Sequence, residues 1–216
     1  MPNESAVRPA LNKIAYYQER RDEVPNQELA RALAKARDRA GIREITGGLW
    51  HKNKGIRSDC LKVLYEIGYL NPGLIADYVE DFLKLLNDKE NRMVWGGMIA
   101  LATIADRRPK EIWQQIEDVV RVTKRGTVIT LVWGVRTMAR VAAANPRYRK
   151  ALFPVLLGYV RTCIPRDVPT HAESMLCAVT KSNSKEFLGV LEKRRKELSP
   201  SQTVRLKKVI RSVEAE

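Results

Sequence analysis

The sequence has few of the residues that most often carry out chemistry. Its 216 residues include two histidines and three cysteines, and the aromatic share is 6%. His51 and His171 lie far apart, and neither has a second ligand at the spacing of a zinc site. No phosphate-binding glycine loop, dinucleotide fingerprint or nucleophile elbow occurs. We therefore expect neither a metal nor a cofactor, and we assign no catalytic residue.

Long apolar runs are absent as well. No stretch approaches about 18 consecutive apolar residues, so we expect no transmembrane helix. The first residues, Met1 to Ser5, do not combine a basic segment with an apolar one, and a secretion signal is not expected. Cys60, Cys163 and Cys177 are odd in number and widely spaced, which is typical of reduced, buried thiols in a cytoplasmic protein.

Positive charge, in contrast, is abundant and unevenly distributed. The chain has 39 basic and 25 acidic residues, a formal net charge of +14 at pH 7. Residues 127–216 hold 17 of the basic and 7 of the acidic residues, whereas residues 58–126 are almost neutral. A field of this sign attracts polyanions, and the attraction weakens as salt is added. The same charge also keeps a protein soluble without any specific partner.

Prolines mark an internal repeat. Pro72, Pro109 and Pro146 are spaced 37 residues apart, and Asn183 continues the series. Apolar residues keep this spacing eight and five positions before each marker: Leu64, Leu101, Met138 and Met175, then Ile67, Ile104, Val141 and Ala178. A fixed period of this length predicts stacked supersecondary units, here with two helices per repeat. We expect these apolar positions to be buried, and Cys60 and Cys177 to face the core or its edge.

The apolar spacing also predicts where the helices lie. First helices are predicted at about 58–70, 93–107, 129–144 and 168–181, and second helices at about 72–87, 109–124, 146–162 and 184–197. Proline suits the first turn of a helix because its missing N–H costs nothing there. N-caps are predicted at Asn71, Asn145, Asn183 and Ser199.

We expect three segments in one continuous array. Residues 1–57 are predicted to form N-terminal helices, at about 9–21 and 27–40, followed by an irregular basic connection. Residues 58–198 hold the repeats, and residues 199–216 form a C-terminal capping helix, because a terminal repeat must show water a polar outer face.

This unit of about 37 residues, with proline opening the second helix, resembles a HEAT or armadillo-type repeat. Residues 58–90, 94–126 and 131–163 carry the resemblance most clearly. It implies an all-α, right-handed solenoid whose second helices line a concave surface, and a binding surface or scaffold rather than one activity. The aspartate that usually opens a helix and the arginine late in the unit are not kept in register here.

Basic residues recur near the ends of the predicted second helices. Lys84, Arg121 and Arg195 lie twelve positions after their markers, and Lys124 and Arg161 lie fifteen positions after theirs. Cations stabilise helix C-termini by roughly 0.3–1 kcal/mol each, which accounts for part of this pattern. The remaining excess of charge indicates a surface for a polyanion.

Trp50 and Lys52 lie in the basic, glycine-rich segment that precedes the repeats. An aromatic ring beside cations suits contact with a nucleic acid or a protein partner as well as it suits packing. We therefore add both residues to the predicted binding surface.

Three functions remain open on this evidence. The first two are a non-catalytic module that binds the nucleic-acid backbone without base preference, and a scaffold for an acidic protein. The third is a HEAT-like DNA glycosylase of the alkylpurine-repair type, which needs a carboxylate and aromatics in its groove; Asp77, Asp81, Asp118 and Trp113 are the candidates. Release of alkylated bases would indicate the enzyme, and competition by an acidic peptide would indicate the scaffold.

Overall fold

A computed structural model of the protein describes residues 9–215. These residues form α-helices and short 3-10 turns, and no β-strand occurs among them. The chain divides into two compact units, an N-terminal unit that ends at Arg107 and a C-terminal unit that begins at Arg108. Across the described range, no helix has the length and apolar character needed to span a membrane.

The N-terminal unit is built around one central helix. Its helices are α1 (Val24–Ala36), α2 (Arg39–Gly47), α3 (Lys54–Leu70), α4 (Val79–Leu85) and α5 (Asn91–Ile104). Short 3-10 turns occur at Ala10–Lys13, Ala15–Gln18, Gly48–Trp50, Pro72–Leu74 and Ala76–Tyr78. Helix α3 packs against α1, α2 and α5, and α4 packs against α5. The core of this unit therefore lies around α3.

The C-terminal unit has a central helix of its own. Its helices are α6 (Pro109–Gln114), α7 (Ile116–Arg125), α8 (Val128–Ala144), α9 (Pro146–Thr162), α10 (Val168–Met175), α11 (Ser184–Arg195) and α12 (Pro200–Glu214). Turns of 3-10 helix occur at Pro165–Asp167 and Leu176–Ala178. Helix α8 packs against α7, α9 and α10, and α12 covers α10 and α11.

The predicted register is confirmed by burial. The eight apolar positions five and eight residues before the markers are all buried: Leu64, Ile67, Leu101, Ile104, Met138, Val141, Met175 and Ala178 have no exposed surface. Each marker opens the second element of its repeat, because Pro72 begins a 3-10 turn while Pro109 and Pro146 begin α6 and α9. The sequence period therefore corresponds to the structural repeat.

Two glycines allow first and second helices to approach closely. A Cβ atom on Gly97 would lie 2.9 Å from Leu85 Cβ and 3.2 Å from the Phe82 carbonyl oxygen. A Cβ atom on Gly134 would overlap the side chain of Thr123. Because there is no space for a side chain at either position, these glycines are explained by helix packing.

The N-terminal region differs from the sequence prediction. One helix was predicted at about 27–40 and an irregular connection over 41–57, whereas α1 ends at Ala36 and α2 occupies Arg39–Gly47. Arg37 adopts a left-handed conformation (φ 50°) that ends α1, and the Asp38 carboxylate then caps α2 by accepting from Gly41 N at 2.9 Å. Gly41, the residue directly after the predicted helix, therefore lies in the first turn of α2.

Residues 9–21 form two 3-10 turns instead of the predicted α-helix. Side chains distant in sequence bind their backbone N–H groups. The Glu44 carboxylate accepts from Ala10 N at 2.9 Å and Leu11 N at 3.2 Å, and Asn26 Oδ1 accepts from Ala15 N at 2.9 Å. The bonds from Ala10 and Leu11 satisfy donors that an α-helix starting here would leave unpaired in its first turn. The bond from Ala15 replaces the one that its N–H would make inside an α-helix, so tertiary contacts outweigh the helical periodicity.

Predicted caps and helix continuity are confirmed only in part. Asn145 accepts from Arg147 N at 2.8 Å, and Ser199 forms a complete capping box. Asn71 and Asn183 do not cap their helices; the side-chain Oδ1 of Asn183 accepts instead from Thr180 N, which precedes it in sequence. The second elements of the first two repeats are interrupted, at Ile75 and Gln115, where φ is −117° in both cases.

Candidate binding surface

Four of the predicted binding residues lie at one end of the C-terminal unit, which we call the basic end: Arg121 and Lys124 on α7, Arg161 on α9 and Arg195 on α11. The side chain of Arg194 donates hydrogen bonds of 2.7 Å to the carbonyl oxygens of Val160 and Arg161. This contact holds the C-terminal ends of α9 and α11 together. The end of α7 leads directly into α8, and α8 packs against α9 and is joined to it by Asn145 alone. The start of α8 therefore lies near the end of α9, and the end of α7 reaches the same end of the unit.

Acidic neighbours reduce the charge of the basic end. Three of its four cations form ion pairs: Arg121 with Asp118 at 2.7 Å, Arg161 with Glu186 at 2.9 Å and Arg195 with Glu192 at 3.5 Å. All four cations are exposed. Ion pairs this accessible to water contribute only about 0–1 kcal/mol, so a polyanion could displace the carboxylates at little cost.

The remaining predicted residues belong to the N-terminal unit. Trp50 is 48% exposed at the end of the 3-10 turn before α3, Lys52 is exposed in the next loop, and Lys84 is exposed near the end of α4. The Arg57 side chain donates to Leu49 O at 3.0 Å and pairs with Glu90 at 3.3 Å, which ties this turn to the loop that follows α4. Trp50, Lys52 and Lys84 therefore lie at the same end of their unit.

Two cations of the N-terminal unit, Lys62 and Arg92, have structural roles. Lys62, with a side chain only 8% exposed, pairs with Glu23 at 2.9 Å and Glu66 at 2.7 Å, and Arg92 pairs with Glu23 at 2.7 Å. Burial alone would lower the pKa of Lys62, but the hydrogen bonds with Glu66 and Glu23 outweigh it and raise that pKa. Since these cations are already bound, they are poor candidates for ligand contact.

The residues of the glycosylase alternative lie in different environments. Asp77 pairs with Arg39 at 3.7 Å in the N-terminal unit, and Asp118 pairs with Arg121 in the C-terminal unit. Trp113 stacks on Tyr148 with ring centroids 4.2 Å apart. Asp81, the remaining candidate, is half-buried on α4.

Histidines and thiols are distributed without forming a cluster. Among the described residues no three His, Cys, Asp or Glu side chains are grouped as metal ligands would be. Cys60 is fully buried, and burial, with the nearby carboxylates of Asp59 and Glu44, raises the pKa of its thiol to about 12. Cys177 was predicted to face the core or its edge but is exposed, because it lies at the outer side of the 3-10 turn that ends the first element of its repeat.

Neither protein-family models nor curated proteins match this chain in sequence. Solved structures match it in fold. A designed armadillo repeat protein is 13% identical, with a TM-score of 0.60, and the match covers 94% of this chain and 99% of that one. The chain has an armadillo/HEAT-type helical-repeat fold. A second designed armadillo repeat protein, in complex with the peptide (KR)4, is 14% identical with a TM-score of 0.62, and the match covers 94% of this chain and 96% of that one.

An engineered protein of known crystal structure is also similar to this armadillo/HEAT-type chain. It is 16% identical, with a TM-score of 0.60, and the match covers 95% of this chain and 96% of that one. Because these matches extend over nearly the whole length of each chain, the all-α solenoid predicted from the 37-residue period is confirmed.

Proposed function

We propose that this armadillo/HEAT-type protein is a non-catalytic binding module whose partner is a protein with an acidic segment. The observation that carries the proposal is the basic end of the C-terminal unit, where successive second helices present Arg121, Lys124, Arg161 and Arg195 to solvent. Repeat folds provide extended surfaces on which a linear segment can make equivalent contacts with successive repeats.

Charge complementarity supports an acidic partner. The designed armadillo protein in complex with (KR)4 holds a basic peptide. The present chain has a net charge of +14, and its C-terminal unit carries most of the excess. A surface of this sign steers acidic partners toward it and disfavours basic ones.

The nucleic-acid backbone is a second candidate ligand, supported by one observation in the N-terminal unit. Trp50 is 48% exposed and lies two residues before the exposed Lys52. An aromatic ring with adjacent cations is the arrangement on which single-stranded nucleic acids stack. Lys84, at the same end of this unit, would add a phosphate contact.

Direct binding to defined probes tests the proposal. The probes are a fluorescein-labelled peptide of alternating Glu and Ser and a labelled oligothymidylate, and the measurement is fluorescence anisotropy as a function of salt concentration. The test variant changes Arg121, Lys124 and Arg161 to Gln. We expect it to bind the acidic peptide at least about tenfold more weakly than the wild type, since each cation lost costs of the order of 0.5–1 kcal/mol at an exposed site.

The control variant changes three other exposed cations of the same unit to Gln: Arg147, Lys150 and Lys207. It has the same net charge as the test variant. If it weakens binding equally, total charge rather than the basic end is responsible, and the proposed surface is wrong. If only the oligothymidylate binds, and Trp50→Ala abolishes that binding, the nucleic-acid candidate replaces the protein partner.

A further inference from the structure

Exposed aliphatic side chains lie beside the basic end of the C-terminal unit. Val128 and Ile129 open α8 and are 60% and 44% exposed, and Ile164, two residues after α9, is 54% exposed. The start of α8 lies near the end of α9, because the two helices have equal length, pack against each other and are joined by Asn145 alone. We call Val128, Ile129 and Ile164 the aliphatic patch.

Helix formation does not account for these aliphatic side chains. The first turn of a helix favours acidic side chains and a hydrogen-bonding cap, whereas α8 begins with Val128 and Ile129 and has no side-chain cap at Thr127. In the described part of the C-terminal unit four large apolar side chains are exposed, and three of them form this patch. Exposed apolar residues that are grouped rather than scattered indicate a surface that a partner covers.

Positive charge flanks the aliphatic patch. From residue 119 to residue 166, the range that holds α8 and α9, the sequence has ten basic residues and no acidic one. Lys124 and Arg125 end α7 shortly before the patch, and Arg161 lies in the last turn of α9. The carboxylate that pairs with Arg161 is that of Glu186, which comes from α11. An anionic partner at this end therefore meets cations next to aliphatic side chains.

We propose that the segment bound at the basic end is both acidic and aliphatic, and that its aliphatic side chains pack on the aliphatic patch. This inference rests on the function proposed above and specifies the chemistry of the partner. Exposed ion pairs contribute little affinity and are screened by salt, whereas salt does not screen the burial of apolar surface. The cations therefore attract the segment, and the aliphatic contacts slow its release.

Two other occupants suit this surface less well. A second copy of the chain would bring two basic ends together, and like charges across an interface oppose association. Membrane surfaces favour tryptophan, phenylalanine or leucine side chains. Within the described residues, however, every exposed large apolar side chain of the C-terminal unit is a valine or an isoleucine. A segment with acidic and aliphatic residues matches both the charge and the apolar surface.

The experiment compares two fluorescein-labelled peptides of equal length and charge by fluorescence anisotropy. One is the peptide of alternating Glu and Ser, and in the other every second Ser is replaced by Leu. We expect the wild type to bind the Leu-containing peptide roughly threefold to tenfold more tightly, as partial burial of a single leucine side chain would do. This ratio should persist as the salt concentration is raised, although both affinities fall.

Matched variants decide whether the aliphatic patch is responsible. The test variant is Val128→Ser/Ile129→Ser/Ile164→Ser, and it should bind the two peptides with equal affinity. The control variant changes three exposed aliphatic residues that lie elsewhere: Val24→Ser, Leu70→Ser and Val204→Ser. It should keep the preference of the wild type for the Leu-containing peptide. Circular dichroism verifies that both variants are folded.

The outcomes separate this inference from the function on which it rests. Equal binding of the two peptides by the wild type overturns the aliphatic contact but leaves the basic end as a site for acidic peptides. A preference that persists in the test variant, or that the control variant loses to the same extent, also overturns the aliphatic contact. Binding of neither peptide overturns both proposals.

Two further measurements test the other occupants. We expect the wild type and the two variants to sediment equally with phosphatidylserine vesicles, and to elute equally in size-exclusion chromatography. Vesicle binding that only the test variant loses would assign the patch to a membrane surface. A dimer that only the test variant loses would assign it to a second copy of the chain. Either result overturns the acidic and aliphatic segment as its partner.

Discussion

Arg194 should contribute more to stability than any of the exposed arginines, because it closes the C-terminal end of α9. Its guanidinium donates hydrogen bonds of 2.7 Å to the carbonyl oxygens of Val160, Arg161 and Cys163, and it pairs with Glu197 at 2.9 Å. The residue is 8% exposed. The last four carbonyl groups of a helix have no hydrogen-bond donor within the helix, and the Arg194 side chain supplies donors to the end of α9.

The expected cost of removing it follows from these contacts. In Arg194→Met the apolar stem is kept, but three carbonyl oxygens lose their donor. The hydrogen bond to Val160 is fully buried, and an unsatisfied buried acceptor costs about 1–3 kcal/mol. The other two carbonyls are only partly buried and can be rehydrated, whereas the loss of the positive charge at the helix end adds about 0.3–1 kcal/mol. We expect a total loss of about 1–4 kcal/mol in the free energy of unfolding.

Urea denaturation followed by circular dichroism measures this loss. Arg194→Lys should recover part of it, because lysine restores the charge but cannot bond three carbonyls in one plane. The control is Arg195→Gln, the exposed neighbour whose ion pair with Glu192 is 3.5 Å long, and its cost should be below about 0.5 kcal/mol. A cost for Arg194→Met no larger than that of the control would show that the carbonyl hydrogen bonds do not stabilise the repeat.

Two further changes test the core. Leu101→Ala removes a fully buried side chain of α5 and should cost about 2–5 kcal/mol in the free energy of unfolding, measured by urea denaturation; a cost below about 0.5 kcal/mol would contradict its core position. His171 is fully buried, and within the described residues neither of its ring nitrogens has a hydrogen-bond partner. Burial lowers its pKa, opposed in part by Asp167, so protonation favours the unfolded chain and stability should fall as the pH drops below about 6.5. The loss between pH 7.5 and 5.5 should be smaller in His171→Leu than in the wild type, and an equal loss in the two proteins would contradict this reasoning.

The fold was predictable from the sequence where burial is periodic. Residues such as Leu64, Leu101 and Met138 recur every 37 positions because each lies in the same packing environment of successive repeats, and all three are fully buried. This signal is local to each repeat, so it does not require knowledge of distant contacts.

The N-terminal region was less predictable because distant side chains determine its backbone. Glu44 and Asn26 bind the N–H groups of the two 3-10 turns from positions far along the chain. The periodicity of Leu11 and Ile14 is compatible with an α-helix, and nothing in those residues indicates which carboxylate or amide will bind the turn. Such tertiary hydrogen bonds override local propensity.

The register located the predicted cations along their helices but gave no information on their ion pairs. Arg161 and Arg195 lie in the last turns of α9 and α11, Arg121 lies one turn before the end of α7, and all three are exposed. The Glu186 partner of Arg161 is 25 residues away in sequence, so the ion pair could not be read from the local pattern. Arg194 is one of four consecutive cations, and only the packing of α11 on α9 distinguishes it from its neighbours.

The position of each cation, rather than the total charge of the chain, therefore determines what its side chain does. Arg57, Lys62 and Arg194 each have a largely buried side chain and two or more acceptors, and their loss should lower stability. The cations of the basic end are instead exposed, and each of their ion pairs contributes only about 0–1 kcal/mol. Changing Arg121, Lys124 and Arg161 to Gln should therefore alter the free energy of unfolding by no more than about 1–2 kcal/mol. Retained stability together with lost acidic-peptide binding would be the signature of residues kept for binding rather than for folding.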